Sequence, residues 1–120
     1  MELNLLNLFK NVDDPRQFAA GETIFAEGEP GDTMYVILDG DVGINVGDRP
    51  LEVAGPGAIV GEMALIDASA RSAAAIAKSD CRLAPVNERQ FLLMVEQTPY
   101  FALHVMKVLA DRLRRMDAMN

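Results

Sequence analysis

The chain has 120 residues, half of them apolar, and a net charge of −7, which is the length and apolar content of one domain with a core. No apolar run reaches the ~18 residues of a membrane span, and so acidic a chain lacks the dense basic surface that non-specific nucleic-acid binding needs. The single cysteine, Cys81, allows no internal disulfide and fits a reducing, cytoplasmic setting.

In chain order, "MELNLLNLFKNVDD" has no basic segment ahead of its apolar residues and no small-residue cleavage site. It does not read as a signal peptide, and the helical segment it holds is short. Thr23–Phe25 is a short strand before the turn "EGEPGD". "MYVIL", residues 34–38, is apolar on both faces and so expected to be buried on both. Asp39-Gly40 is a hairpin signal. Val42, Ile44 and Val46 alternate with Gly43 and Asn45, as in a half-buried strand. "GDRP" turns the chain, residues 51–54 form a strand, and "GPG" turns it again. Residues 73–77 and 83–86 read as two more strands. Turns at this spacing predict a small barrel or jelly-roll sandwich.

The pattern then becomes helical. Asn87 caps a helix with Gln90 as its capping-box partner, and Phe91, Leu92 and Val95 follow at helical spacing. Thr98-Pro99 reads as an N-cap followed by proline at the first helical position. Ala102, Val105, Met106, Leu109, Leu113 and Met116 form one apolar stripe. Arg112, Arg114 and Arg115 read as a solvated helix end favoured by the macrodipole. The expectation is one domain over residues 1–120, with a β-roll over about 17–87 and helices over about 88–97 and 99–117.

Charge is uneven: residues 1–70 hold thirteen acidic and three basic side chains, residues 71–120 five and eight. Chemistry concentrates in "GEMALIDASARSAAAIA", residues 61–77, where Glu62, Asp67 and Arg71 stand among small and apolar residues. A helical turn begun at Glu62 leaves unpaired backbone N–H groups, which suit an anion. Arg71 offers a planar fork that fits phosphate. Glu62, an acceptor only, fits a sugar hydroxyl. Together they match a ligand with both a phosphate and a hydroxyl. A structural ion pair between Glu62 and Arg71 is the plainer alternative.

Gly61-Glu62-Met63-Ala64-Leu65, then Arg71-Ser72-Ala73, resembles the phosphate-binding cassette of the cyclic-nucleotide-binding domain family. "AAGETIFAEGEPGDTMYVILDGDV" resembles that family's opening strands, and the resemblance spans roughly residues 17–116. It implies a mainly β fold, a jelly-roll-like β-roll (double-stranded β-helix) followed by two helices. It implies that Arg71 binds the exocyclic oxygens of a cyclic phosphate and that Glu62 accepts from the ribose 2′-hydroxyl. Gly61 opens this cassette, the backbone of Met63 and Ala64 completes the cradle, Ser72 touches phosphate and base with Ala73 beside it, and Ile44 and Leu51 line an apolar pocket. The implied ligand is cAMP, with cGMP a weaker binder, and the implied output is movement of the C-terminal helices. No cofactor, catalytic residue or metal ligand is expected.

The loop "IDASAR" lacks the Gly and Pro that many cassettes carry, and no helix-turn-helix follows the last helix. The chain therefore reads as a free-standing sensor or an excised domain, with no direct nucleic-acid contact, no membrane, an unnamed downstream protein, and a homodimer through the last helix as an option. Two other classes stay open: a structural or interaction module that does not use its pocket, and a cupin-like enzyme. One histidine and one cysteine argue against the latter. His104 reads as an ordinary helix position, Cys81 as a core residue, the C-terminal methionines as core or dimer contacts, and Glu22, Glu27 and Glu29 as solvated turn residues.

Overall fold

The computed structural model describes residues 4–9, 11–12 and 14–119. In order they form α1 (Leu5–Phe9), β1 (Arg16–Phe18), β2 (Thr23–Phe25), β3 (Thr33–Asp39), β4 (Val42–Val46), β5 (Arg49–Ala54), β6 (Ile59–Val60), α2 (Glu62–Asp67), β7 (Ala74–Ala77), β8 (Cys81–Asn87), α3 (Glu88–Gln97) and α4 (Tyr100–Ala118).

The strands make two four-stranded sheets, β1-β8-β3-β6 and β2-β7-β4-β5, with every pairing antiparallel. The fold is mainly β with C-terminal helices, as expected, but the sheets do not close into a barrel. Strand β3 shows why "MYVIL" is apolar throughout. Its alternation sends Tyr35 and Ile37 between the sheets and Met34, Val36 and Leu38 to the outer face. The inner cluster adds Val42, Ile44, Ala75, Cys81 and Leu83. On the outer face Leu5, Leu65, Phe101 and Val105 cover β3 and β8, so the helices are docked by a second apolar layer.

The Asp39-Gly40 expectation is corrected. Strands β3 and β4 do not pair with each other but lie in different sheets. Gly40 takes φ 86° at this corner, and a Cβ there would stand 2.3 Å from the Asp80 carbonyl oxygen. The dipeptide supplies the left-handed residue the corner needs, and the corner is a sheet crossing. The true hairpin is β4–β5 across Gly47-Asp48. Arg49 and Pro50, expected in that turn, open β5 instead. Strands β1 and β6 are too short to carry a period of their own.

At α3 both capping-box bonds form: Gln90 N to Asn87 Oδ1 at 2.9 Å and Asn87 N to Gln90 Oε1 at 2.8 Å. Thr98 does not cap α4 with its side chain; Phe101 N donates to the Thr98 carbonyl, and Pro99 has helical angles. The apolar stripe of α4 is rotated from its expected place. Phe101 and Val105 are buried, while Met106 and Leu113 are 61% and 55% exposed. The buried line continues from Val105 through half-buried Val108 to Arg112 and Met116.

Candidate functional site: the cassette cavity

Helix α2 starts abruptly because Gly61 takes φ 82°, a conformation side chains disfavour. It ends at Ala68, the only non-glycine residue with positive φ among the described residues (φ 55°). Asp67 stabilises this exit by accepting from Ser69 N and Ser69 Oγ. The chain then joins the β2–β3 turn: Arg71 N donates to Glu29 O at 2.9 Å, and Gly28 N to Arg71 O at 2.8 Å. That clamp fixes the Arg71 backbone.

The Arg71 side chain points inward and is 6% exposed. It donates through Nη1 to Gly61 O at 3.0 Å and through Nη2 to Thr33 O at 2.8 Å. Its Cζ lies 4.2 Å from the centre of the Phe25 ring, a cation–π contact. Two glycines make the space: a Cβ at Gly31 would stand 2.2 Å from Arg71 Nε, and one at Gly61 2.6 Å from Nη1. Arg71 Nε has no hydrogen-bond partner among the described residues. Burial pushes the guanidinium pKa down, partly opposed by Tyr35, Glu29, Asp32 and Glu62. A buried cation with an unsatisfied N–H is costly unless something anionic or polar completes it.

Glu62 is 2% exposed. Its partner is Arg112 of α4, whose Nη1 lies 2.5 Å from Glu62 Oε1. Arg112 Nε lies 2.8 Å from Glu52 Oε1, and Arg115 Nη1 reaches the same oxygen at 3.1 Å. Burial raises the Glu62 carboxyl above its ordinary value, opposed first by Arg112. One alternative and one expectation are corrected here. Glu62 and Arg71 form no ion pair with each other, and Arg112 is 5% exposed instead of solvated.

Ile44, Leu51, Gly61, Glu62, Met63, Ala64, Arg71, Ser72 and Ala73 all line one cavity. Phe25, Arg112 and Met116, which the sequence reading missed, complete its wall. Ser72 Oγ lies 3.1 Å from Met63 Sδ. The cavity volume is about 30 Å³, room for a water or two and a tenth of the ~300 Å³ at which small-molecule pockets begin. His104 lies outside it, half-buried on α4, and lines a separate groove with Glu52, Asp111, Arg112 and Arg115; burial and then Lys107 lower its pKa. Cys81 is a core residue with its thiol pKa raised by burial. Glu22, Glu27 and Glu29 are exposed and accept backbone N–H bonds at turns, from Ala19, Gly47 and Ala26. Among the described residues no His, Cys, Asp and Glu side chains cluster to hold a metal, and no helix is long and apolar enough to cross a membrane.

The chain belongs to the cyclic nucleotide-binding domain family, whose model matches residues 15–98. Over 107 residues it is 34% identical to the cyclic AMP receptor protein of Thermus thermophilus, covering 85% of this chain and 50% of that protein. The crystal structure of the Thermus thermophilus catabolite activator protein aligns with 99% of this chain and 58% of its own, with a TM-score of 0.80 and 29% identity. The EAL enzyme Bd1971 in its cAMP-bound form is 40% identical, with a TM-score of 0.65 over 84% of this chain and 28% of its own. Its cGMP-bound form gives 39%, 0.67, 88% and 30%. The chain thus spans about half the length, or less, of the curated relatives it matches.

Proposed function

We propose that this chain is a regulatory sensor that binds a cyclic purine nucleotide, cAMP before cGMP, in the cassette cavity and signals through α4. The observation that carries this reading is Arg71: a buried guanidinium on the wall of the cavity that, among the described residues, is held without a carboxylate and with one N–H unpaired. A cyclic phosphate would supply the missing acceptor and the missing negative charge. Glu62 would accept from the ribose 2′-hydroxyl, and the N–H groups of Met63 and Ala64 at the start of α2 would add donors. Ile44, Leu51 and Ala73 would face the sugar and base, with Ser72 between phosphate and base. The relatives with cAMP in their names or bound in their structures support this choice of ligand.

The same reading places the working protein in the cytoplasm. It also makes the exposed residues Leu103, Met106 and Leu113 of α4 the face where a second copy would meet it. Calorimetric titration with cAMP and cGMP tests the proposal; no heat of binding from either would end it. A module that does not use its pocket is the second reading, favoured by the small cavity volume and the Arg112–Glu62 pair. The same titration separates the two.

A further inference from the structure

Three strands build the seat of Arg71. Phe25 ends β2 and pairs with Ala75 of β7, just beyond Arg71. Thr33 opens β3, and Tyr35 in the same strand pairs with Val60, the last residue of β6 before Gly61. These registers set one aromatic ring and two backbone carbonyls around the guanidinium. Its Cζ lies over the Phe25 ring, and the Thr33 and Gly61 carbonyls accept from its Nη atoms. The ring itself is fixed. Phe25 and Tyr35 are both buried, and their rings stack with centroids 6.5 Å apart and 19° between planes. A Cβ at Gly61 would stand 3.3 Å from Phe25 Cε2. Phe25 also lines the cassette cavity. Among the described residues Arg71 makes no ion pair.

A carboxylate beside a buried guanidinium lowers the cost of burial and also neutralises the charge. An aromatic face does only the first. Its quadrupole attracts the cation but takes up no N–H, so charge and donors stay open to a ligand. We propose that Phe25 is a positioning residue of the cassette: its ring holds the Arg71 guanidinium at the cavity wall as a cation not yet neutralised, and the strength of that hold sets affinity for an anionic ligand. This rests on the proposed nucleotide reading for its ligand. Without the ring face, two carbonyls alone hold the guanidinium. The seated fraction then falls, and apparent affinity falls with it.

The test changes the charge of the ring face and leaves its shape. Site-specific incorporation of 4-fluoro- and then 3,4,5-trifluorophenylalanine at position 25 of the full chain drains negative charge from the face with little change in volume. With cAMP as the probe, affinity should fall at each step, by about two- to thirtyfold with the trifluoro ring, and by at least as much in Phe25→Leu. Level or rising affinity across the fluorinated series overturns the inference, because a ring that only packs is indifferent to the charge on its face. The same series is melted without ligand, in the protein carrying Arg71 and in Arg71→Met. The melting temperature should fall with added fluorine when Arg71 is present, and less or not at all in Arg71→Met. Equal slopes in the two backgrounds overturn the inference, whatever the protein binds. If the slopes differ but none of the proteins binds cAMP, the hold of Phe25 on Arg71 stands and the nucleotide reading falls. Should Arg71→Met fail to fold, Arg71→Ala takes its place as the background.

Discussion

The Arg112 guanidinium, near the end of the last helix, lies 2.5 Å from the carboxylate of Glu62 in the first turn of α2. The pair joins the cassette to α4 across the interior, with both side chains nearly fully buried. Such pairs gain little net stability, because desolvation offsets the attraction. Their effect is specific: they make the protonation of one group depend on the position of the other.

That dependence sets a pH prediction. The Glu62 carboxyl is raised above 4.5, with burial the first cause. A carboxyl whose folded pKa exceeds its unfolded one contributes stability that is complete below the unfolded pKa and lost as pH rises through the folded one. Glutamine does not titrate. The stability of wild type relative to Glu62→Gln should therefore fall as pH climbs above about 4.5 and then level off. Urea midpoints of the two proteins at a series of pH values measure this. A wild type that gains on the variant with rising pH would show that the Arg112 attraction outweighs burial.

Arg71→Ala should abolish tight nucleotide binding and leave a folded protein. Two charge-assisted bonds at about 1.5–3 kcal/mol each correspond to roughly 10²–10⁴-fold in affinity. The fold should lose about 1–2 kcal/mol, because the Gly61 and Thr33 carbonyls lose their donor. Titration and thermal melting read the two effects separately. A folded variant with unchanged affinity would remove Arg71 from the site.

Residues with local signals were the legible ones. Asn87 and Gln90 announce a helix start at a fixed spacing, and Met34–Leu38 announce burial on both faces. The cassette residues are contiguous in sequence, so their convergence on one cavity follows from a turn and a short loop. Arg112 was hidden for a different reason. Its charge groups it with Arg114 and Arg115, but its helical position continues the line Phe101, Val105, Val108 toward Met116. A charged residue inside an apolar line was the available signal. Glu52, Gly31 and the sheet crossing at Gly40 had none, because their partners are brought to them only by tertiary structure.

Ser72→Ala tests base preference. The Ser72 hydroxyl lies against Met63 Sδ at 3.1 Å, a weak bond that a better acceptor or donor would displace. In the proposed site it reaches the 2-amino group of a syn guanine as well as the phosphate. The variant should lose more affinity for cGMP than for cAMP. Parallel titrations showing equal losses would leave Ser72 without a role in base choice.

Two glycines separate the packing of Arg71 from the strain of its neighbouring turn. Gly31 has an ordinary φ, but a Cβ there would stand 2.2 Å from Arg71 Nε and 2.4 Å from Cζ. Gly31→Ala should therefore push the guanidinium out of its place between Phe25, Gly61 and Thr33. Gly28 is the reverse case, with φ +85° and nothing within 4 Å of a Cβ. Gly28→Ala should cost about 1 kcal/mol of stability through backbone strain and leave Arg71 alone. The expected result is a crossed pattern: Gly31→Ala loses nucleotide affinity by tenfold or more (about 1.4 kcal/mol), while Gly28→Ala lowers the melting temperature and binds as wild type. Melting curves and titrations of both variants measure it. If Gly31→Ala binds as tightly as wild type, the buried placement of Arg71 is not what the ligand requires.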